Sequence, residues 1–138
     1  MTRASLRISH SFKKVMTLNT KPKPTTHVID ATDRTLGRVA SEAAHALLGK
    51  RSVHFARNQA LPIKVIINNA DKMYLPSRRT KGKVYTRYTG YPGGLYSTSM
   101  EEMIAKKGIA SVVKKTVDGM IPRNKLRVPR MKNLIVNE

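Results

Sequence analysis

A chain of 138 residues suits one domain with at most an added tail, and with 40% hydrophobic residues it can bury a core. It carries 27 Lys and Arg against 8 Asp and Glu, a net charge of +19, so a compact fold repels itself until a polyanion neutralises it, with nucleic acid the first candidate and an anionic membrane surface the second. The absence of cysteine excludes disulfides, thiolate metal sites and a cysteine nucleophile, and no apolar run reaches the roughly 20 residues that span a bilayer.

Residues 1–26 form a basic N-terminal extension. They hold Arg3, Arg7, Lys13, Lys14, Lys21 and Lys23 and no acid, and Pro22 and Pro24 close them as an extended linker. Three readings stand: a basic arm that orders on a polyanion, a mitochondrial transit peptide, and an upstream leader with Met16 as the true first residue. A single folded domain is expected over 27–138. HVIDA (27–31) is a short strand. TLGRVASEAAHALLGK (35–50) places Leu36, Val39, Ala40, Ala43, Leu47 and Leu48 on one helical face, with Thr35 as N-cap and Gly49 as C-cap. IKVIINNA (63–70) is a continuous β-branched run, as for a strand buried on both faces. Strand, helix and strand together predict a parallel βαβ unit.

After Pro76 the chain turns polar, basic and turn-rich, with a short strand expected at 83–88. Thr98, Ser99, Met100 and Glu101 read as a capping box opening a helix to Lys107, which Gly108 ends. A second helix is expected over 109–120. Pro129 is expected to break or kink any helix near it, and a last strand is expected at 134–136.

No catalytic constellation is legible. The four histidines lack metal spacing, and the carboxylates are too few and too scattered to form an acid–base pair. Asp30 and Asp33 read as turn and cap groups, Glu101 and Glu102 as partners of a helix dipole. Gly49-Lys50-Arg51-Ser52 lacks the first glycine of a phosphate loop and ends a helix instead of opening one. An enzyme is therefore not expected, and neither cofactor nor metal is implied.

The basic tracts carry the functional signal. Arg78, Arg79, Lys81 and Lys83 precede YTRYTGYPGG (85–94), which mixes Arg87 with Tyr85, Tyr88 and Tyr91 and with Gly90, Gly93 and Gly94. Cations neutralise phosphates, tyrosines stack on unpaired bases, and glycines allow close backbone approach. Arg123, Lys125, Arg127 and Arg130 form a second tract. Charge spread over several elements fits a protein embedded in structured RNA better than a DNA reader with one groove-entering helix.

DATDRTLGRVASEAAHALLGK (30–50), VIINNADKM (65–73), KVYTRYTGYPGGL (83–95), SMEEMIAKKG (99–108), DGMIP (118–122) and RNKLR (123–127) resemble, in order, the motifs of the universal large-subunit ribosomal protein family thirteen. Tyr88 stands where many members carry histidine. The resemblance implies a three-layer α/β/α fold with a small, about four-stranded, mainly parallel sheet, plus a basic loop. It implies a structural constituent of the large subunit that binds large-subunit rRNA, supports assembly and touches neighbouring ribosomal proteins, with no membrane and no small-molecule substrate. The cytoplasmic ribosome of a bacterial-type system is the expected location, a mitochondrial ribosome the alternative. Arg38, Lys50 and Arg51 join the two tracts and the tyrosine–glycine loop as expected rRNA contacts. The rival reading is a free regulatory or architectural nucleic-acid-binding protein.

Overall fold

The computed structural model describes residues 24–138, so the three readings of the extension fall outside the described residues over 1–23, while Thr25 and Thr26 already belong to the first strand. Strand β1 (Thr25–Asp30) leads to helix α1 (Leu36–Leu48) and strand β2 (Ile63–Asn68). Next come helix α2 (Ser77–Gly82) and the strands β3 (Val84–Tyr88) and β4 (Leu95–Ser99). Helix α3 (Met100–Met120), helix α4 (Arg127–Lys132) and strand β5 (Leu134–Val136) complete the chain.

The α/β class and the parallel βαβ unit are as expected. β2 lies between β1 and β5 and pairs with both in parallel, while β3 and β4 form a separate antiparallel hairpin. The main sheet thus has three strands where about four were expected, because the remaining pairing is spent on the hairpin.

The core explains the order of elements. Val39, Ala40, Ala43 and Leu47 of α1 and Val113 and Val117 of α3 pack with Ile29, Val65, Ile67 and Leu134 of the sheet. Each fully buried large side chain contributes about 1.5–3 kcal/mol. β2 is buried on one face only: Ile63, Val65 and Ile67 are buried, whereas Lys64 is exposed. On the opposite face Val28, Ile66 and Ile135 sit side by side in register, with Val28 64% and Ile135 45% exposed. Both main helices share one apolar face of the sheet, and no second helical layer lies among the described residues.

Local chemistry sets the ends. Gly49 closes α1 at φ 80°, donating to the carbonyl of Ala46. Ser99 caps α3 by accepting from the Glu102 amide at 3.1 Å, one residue later in register than the predicted box. Gly108 adopts φ 74°, ψ 170°, outside the helical region, so it ends the first predicted helix as expected, and α3 comprises both predicted helices on either side of that kink. The Glu138 carboxylate accepts from the Ala110 amide at 3.0 Å and satisfies a donor freed by that kink. Pro129 does not break α4. It stands in the first turn, where an amide has no helical acceptor in any case. Asp30 accepts from the amide and hydroxyl of Thr32 at 3.1 and 2.8 Å and from Asn69 Nδ2 at 3.1 Å. Those bonds, the Asn69 one foremost, hold its carboxyl down to about 2, and they tie the ends of β1 and β2.

Candidate nucleic-acid interface

The YTRYTGYPGG stretch forms β3 and its turn. Opposite pairs in an antiparallel ladder share a face. Arg87 faces Tyr96 and Tyr85 faces Thr98 on one side, while Tyr88 faces Leu95 on the other. The turn closes with the Thr89 amide donating to the Gly94 carbonyl at 3.1 Å and the Gly94 amide to the Tyr91 carbonyl at 2.9 Å. Gly93 adopts φ 73°, a left-handed conformation that glycine takes without strain. Gly94 is buried, and a Cβ there would lie 2.0 Å from Thr89 Oγ1 and 2.9 Å from the Tyr91 carbonyl oxygen. Its lack of a side chain is therefore required by the turn itself. Gly90 and Gly93 are exposed, with open space beside them.

Four cations are arrayed next to this hairpin. Arg78, Arg79 and Lys81 are exposed on α2, a six-residue helix that sequence reasoning missed, and Lys83 follows as its C-cap. α2 carries no buried residue and begins at the Pro76 carbonyl, which accepts from the Arg79 amide at 2.8 Å. Its sequence offers no apolar periodicity, so no such signal was present.

Tyr85 is partly buried and serves the fold. Lys115 Nζ lies 4.4 Å and Lys83 Nζ 5.8 Å from its ring centroid, a cation–π arrangement joining the hairpin to α3. Burial pushes its phenol up, partly offset by a hydrogen bond with Thr116. Tyr88, Tyr91 and Tyr96 are 61%, 75% and 64% exposed and keep free ring surface. A cleft of about 460 Å³ between the hairpin and α3 is lined by Arg87, Tyr96, Lys107 and Lys115 among others, and by no acid. Tyr96, Lys107 and Lys115 were absent from the expected contact set. Tyr96 was signalled by its place beyond the glycine pair. Lys115 reaches Tyr85 only through the fold.

The remaining expected residues divide. Arg38, Lys50, Arg123 and Lys125 are exposed. Arg51 shares Glu42 with Arg34, at 2.9 and 2.6 Å, and these two hydrogen bonds hold Glu42 below its ordinary value. Arg127 pairs with Asp118. Arg130 is only 3% exposed and donates from a terminal nitrogen to the Gln59 carbonyl at 2.9 Å, with its Nε unpartnered. It pins the 50–62 connection from within.

Among the described residues no group of three metal-ligating side chains occurs, and no helix is long and apolar enough to cross a membrane. The three ion pairs among those residues all use arginine. Lys81 of α2, its C-cap Lys83 and the lysines of α3 are exposed and have no carboxylate partner, an arrangement that suits a phosphate backbone.

Known proteins supply the remaining comparison. The family model described as ribosomal protein L13 matches residues 24–138. The large ribosomal subunit protein uL13 of Mesomycoplasma hyopneumoniae (strain 7448) is 43% identical over 109 residues, covering 79% of this chain and 75% of that protein. Its counterpart in Beutenbergia cavernae is 42% identical over 120 residues, covering 83% and 81%. That of Kocuria rhizophila is 44% identical over 110 residues, covering 80% and 74%.

Proposed function

The chain belongs to the ribosomal protein L13 family, and from that premise we propose that it is a structural, non-catalytic constituent of the large ribosomal subunit. It binds large-subunit rRNA, packs beside other ribosomal proteins and supports assembly of the subunit in a bacterial-type ribosome. The observation that carries this reading is the basic and aromatic surface of α2, the hairpin and the Lys106–Lys115 part of α3, whose cations have no ion-pair partner. Arg78, Arg79, Lys81 and Lys83 meet phosphates there. Arg87 with Lys107 and Lys115 holds backbone in the adjoining cleft, and Tyr88, Tyr91 and Tyr96 offer rings to unpaired bases. Gly90 and Gly93 keep the turn low enough for close approach. Arg38, Lys50, Arg123 and Lys125 extend the surface, while Arg127 and Arg130 act inside the fold.

Gradient sedimentation of a native extract in moderate salt tests the proposal. The expected result is co-sedimentation with large subunits and whole ribosomes that persists through a salt wash. Protein that stays with the free fraction or follows DNA refutes it and favours a free regulatory binder.

A further inference from the structure

A second cleft, of about 530 Å³, shares Tyr85 but lies among the start of α1, the segment 74–76 and α2. Its volume falls in the roughly 300–1,000 Å³ range of small-ligand clefts. The floor is apolar: Leu36 and Leu75 are partly buried and Met100 is 2% exposed. Arg79 and Lys83 bring positive charge to the lining, and no acid takes part. Tyr74 supplies a ring that is 59% exposed, and its backbone is fixed by a 3.1 Å bond from its amide to the Arg34 carbonyl. Unlike Tyr85, whose ring is engaged by two lysines, Tyr74 has a free face.

Gly37 lines the same cleft from the first turn of α1, and nothing lies within 4 Å of where its Cβ would be. It has no positive φ and no close neighbour to explain a glycine, which is an unfavourable choice in a helix. The space it leaves is the cleft.

We propose that this cleft is a slot for one unpaired nucleotide of the bound RNA. The base enters against Tyr74 and the apolar floor, and Arg79 and Lys83 hold its phosphate. A cleft with an apolar floor, one free ring and two cations matches a base joined to a phosphate. The inference rests on the rRNA-binding reading and adds a defined subsite to it.

The test uses the full chain with protein-free large-subunit rRNA. Gly37→Phe fills the slot from a position with room for a side chain, and Tyr74→Ala removes an exposed ring without touching the core. Each is expected to lower affinity about tenfold, within the range for loss of one stacked base, and to leave the salt dependence unchanged because the phosphate contacts remain. Thermal melting of both variants is expected to match the parent chain. Ultraviolet cross-linking is expected to attach a nucleotide to the Tyr74 peptide of the parent and not of Gly37→Phe.

Parental affinity and an unchanged cross-link in Gly37→Phe overturn the slot, while binding by the parent leaves the broader reading in place. Failure of the parent itself to bind rRNA overturns that broader reading. Adenosine monophosphate probes the other source of the same chemistry. If it binds the parent but not Gly37→Phe, while rRNA affinity ignores the substitution, the slot serves a free nucleotide and its assignment to RNA is overturned.

Discussion

Replacing Arg78, Arg79, Lys81 and Lys83 together by alanine removes the cations of α2 and its C-cap. The fold is expected to survive. α2 has no buried residue, its first turn hangs on the Pro76 carbonyl, and alanine is the best helix former. One further role is lost, since Lys83 Nζ lies 5.8 Å from the Tyr85 ring, but Lys115 at 4.4 Å keeps the closer contact. The effect on binding follows from counterion release. Each phosphate contact contributes about 0.7–0.9 to the slope of log affinity against log salt. Three to four lost contacts flatten that slope by about 3. The affinity gap between parent and variant then narrows about 60-fold between about 50 and 200 mM salt. Filter binding to protein-free large-subunit rRNA over a salt series measures the slope, and circular dichroism melting checks the fold. A variant that binds more weakly with an unchanged slope refutes the reasoning, because the tract would then act through structure and not through phosphates.

Gly94→Ala is expected to destabilise the chain by about 1–3 kcal/mol in thermal melting, since its Cβ would sit 2.9 Å from the fixed Tyr91 carbonyl oxygen. Arg130→Ala leaves a void and a lost tie to Gln59, expected to cost about 2–4 kcal/mol by urea titration, whereas Arg130→Met, which also loses the tie and the unpartnered Nε but fills the void with an unbranched chain, is expected within about 1.5 kcal/mol of the parent. Neither change at position 130 is expected to alter the salt slope of rRNA binding. Glu42 has a folded-state value below its ordinary 4.5, so its contribution is fully present above 4.5 and is lost as pH falls through the lower folded value. The stability gap between the parent and Glu42→Gln, followed by denaturant titration across acid pH, is expected to be constant at neutral pH and to close in that window. A gap that persisted unchanged into strong acid would refute the pairing with Arg34 and Arg51.

The parallel core was legible because its signals are local and repeated. The apolar stripe of α1, its terminal Gly49 and the β-branched run of β2 each state one element, and a crossover between parallel strands of one sheet is right-handed in nearly all cases. The sidedness of β2 was less legible. Ile66 and Ile67 are equally apolar in sequence, yet Ile67 is buried and Ile66 stands in the open row with Val28 and Ile135. Lys64, with Asn68 at the end of the strand, marked the solvent face. Pro129 was misread because a proline's effect depends on its place in the helix, and the helix start at Arg127 is set by the turn at Asn124, whose carbonyl accepts from the Arg127 amide at 3.0 Å. For the candidate site, residue type was legible and residue role was not. Arg130 and Arg123 look alike in sequence, but the fold buries one on Gln59 and leaves the other exposed.

The division of roles follows from how few acids the chain has. Glu42 is taken by Arg34 and Arg51, Asp118 by Arg127, Asp30 by Thr32 and Asn69, and Glu138 by the Ala110 amide. Each of these acids is spent on joining segments of the fold, and arginine supplies every ion-pairing cation among the described residues. Arginine suits that work because its planar fork binds a carboxylate at two points. The lysines of α2, its C-cap and α3 are left exposed and without a carboxylate, two of them resting on the Tyr85 ring. Their mutual repulsion opposes the compact state of the free chain, and a phosphate backbone laid across them turns that same repulsion into attraction. Two elements beside them are also weakly anchored: α2 has no buried residue, and the hairpin is only two strands wide. On the proposed interface, RNA laid across α2, the hairpin and α3 would tie these elements together from outside, as the sheet and α1 are held from within.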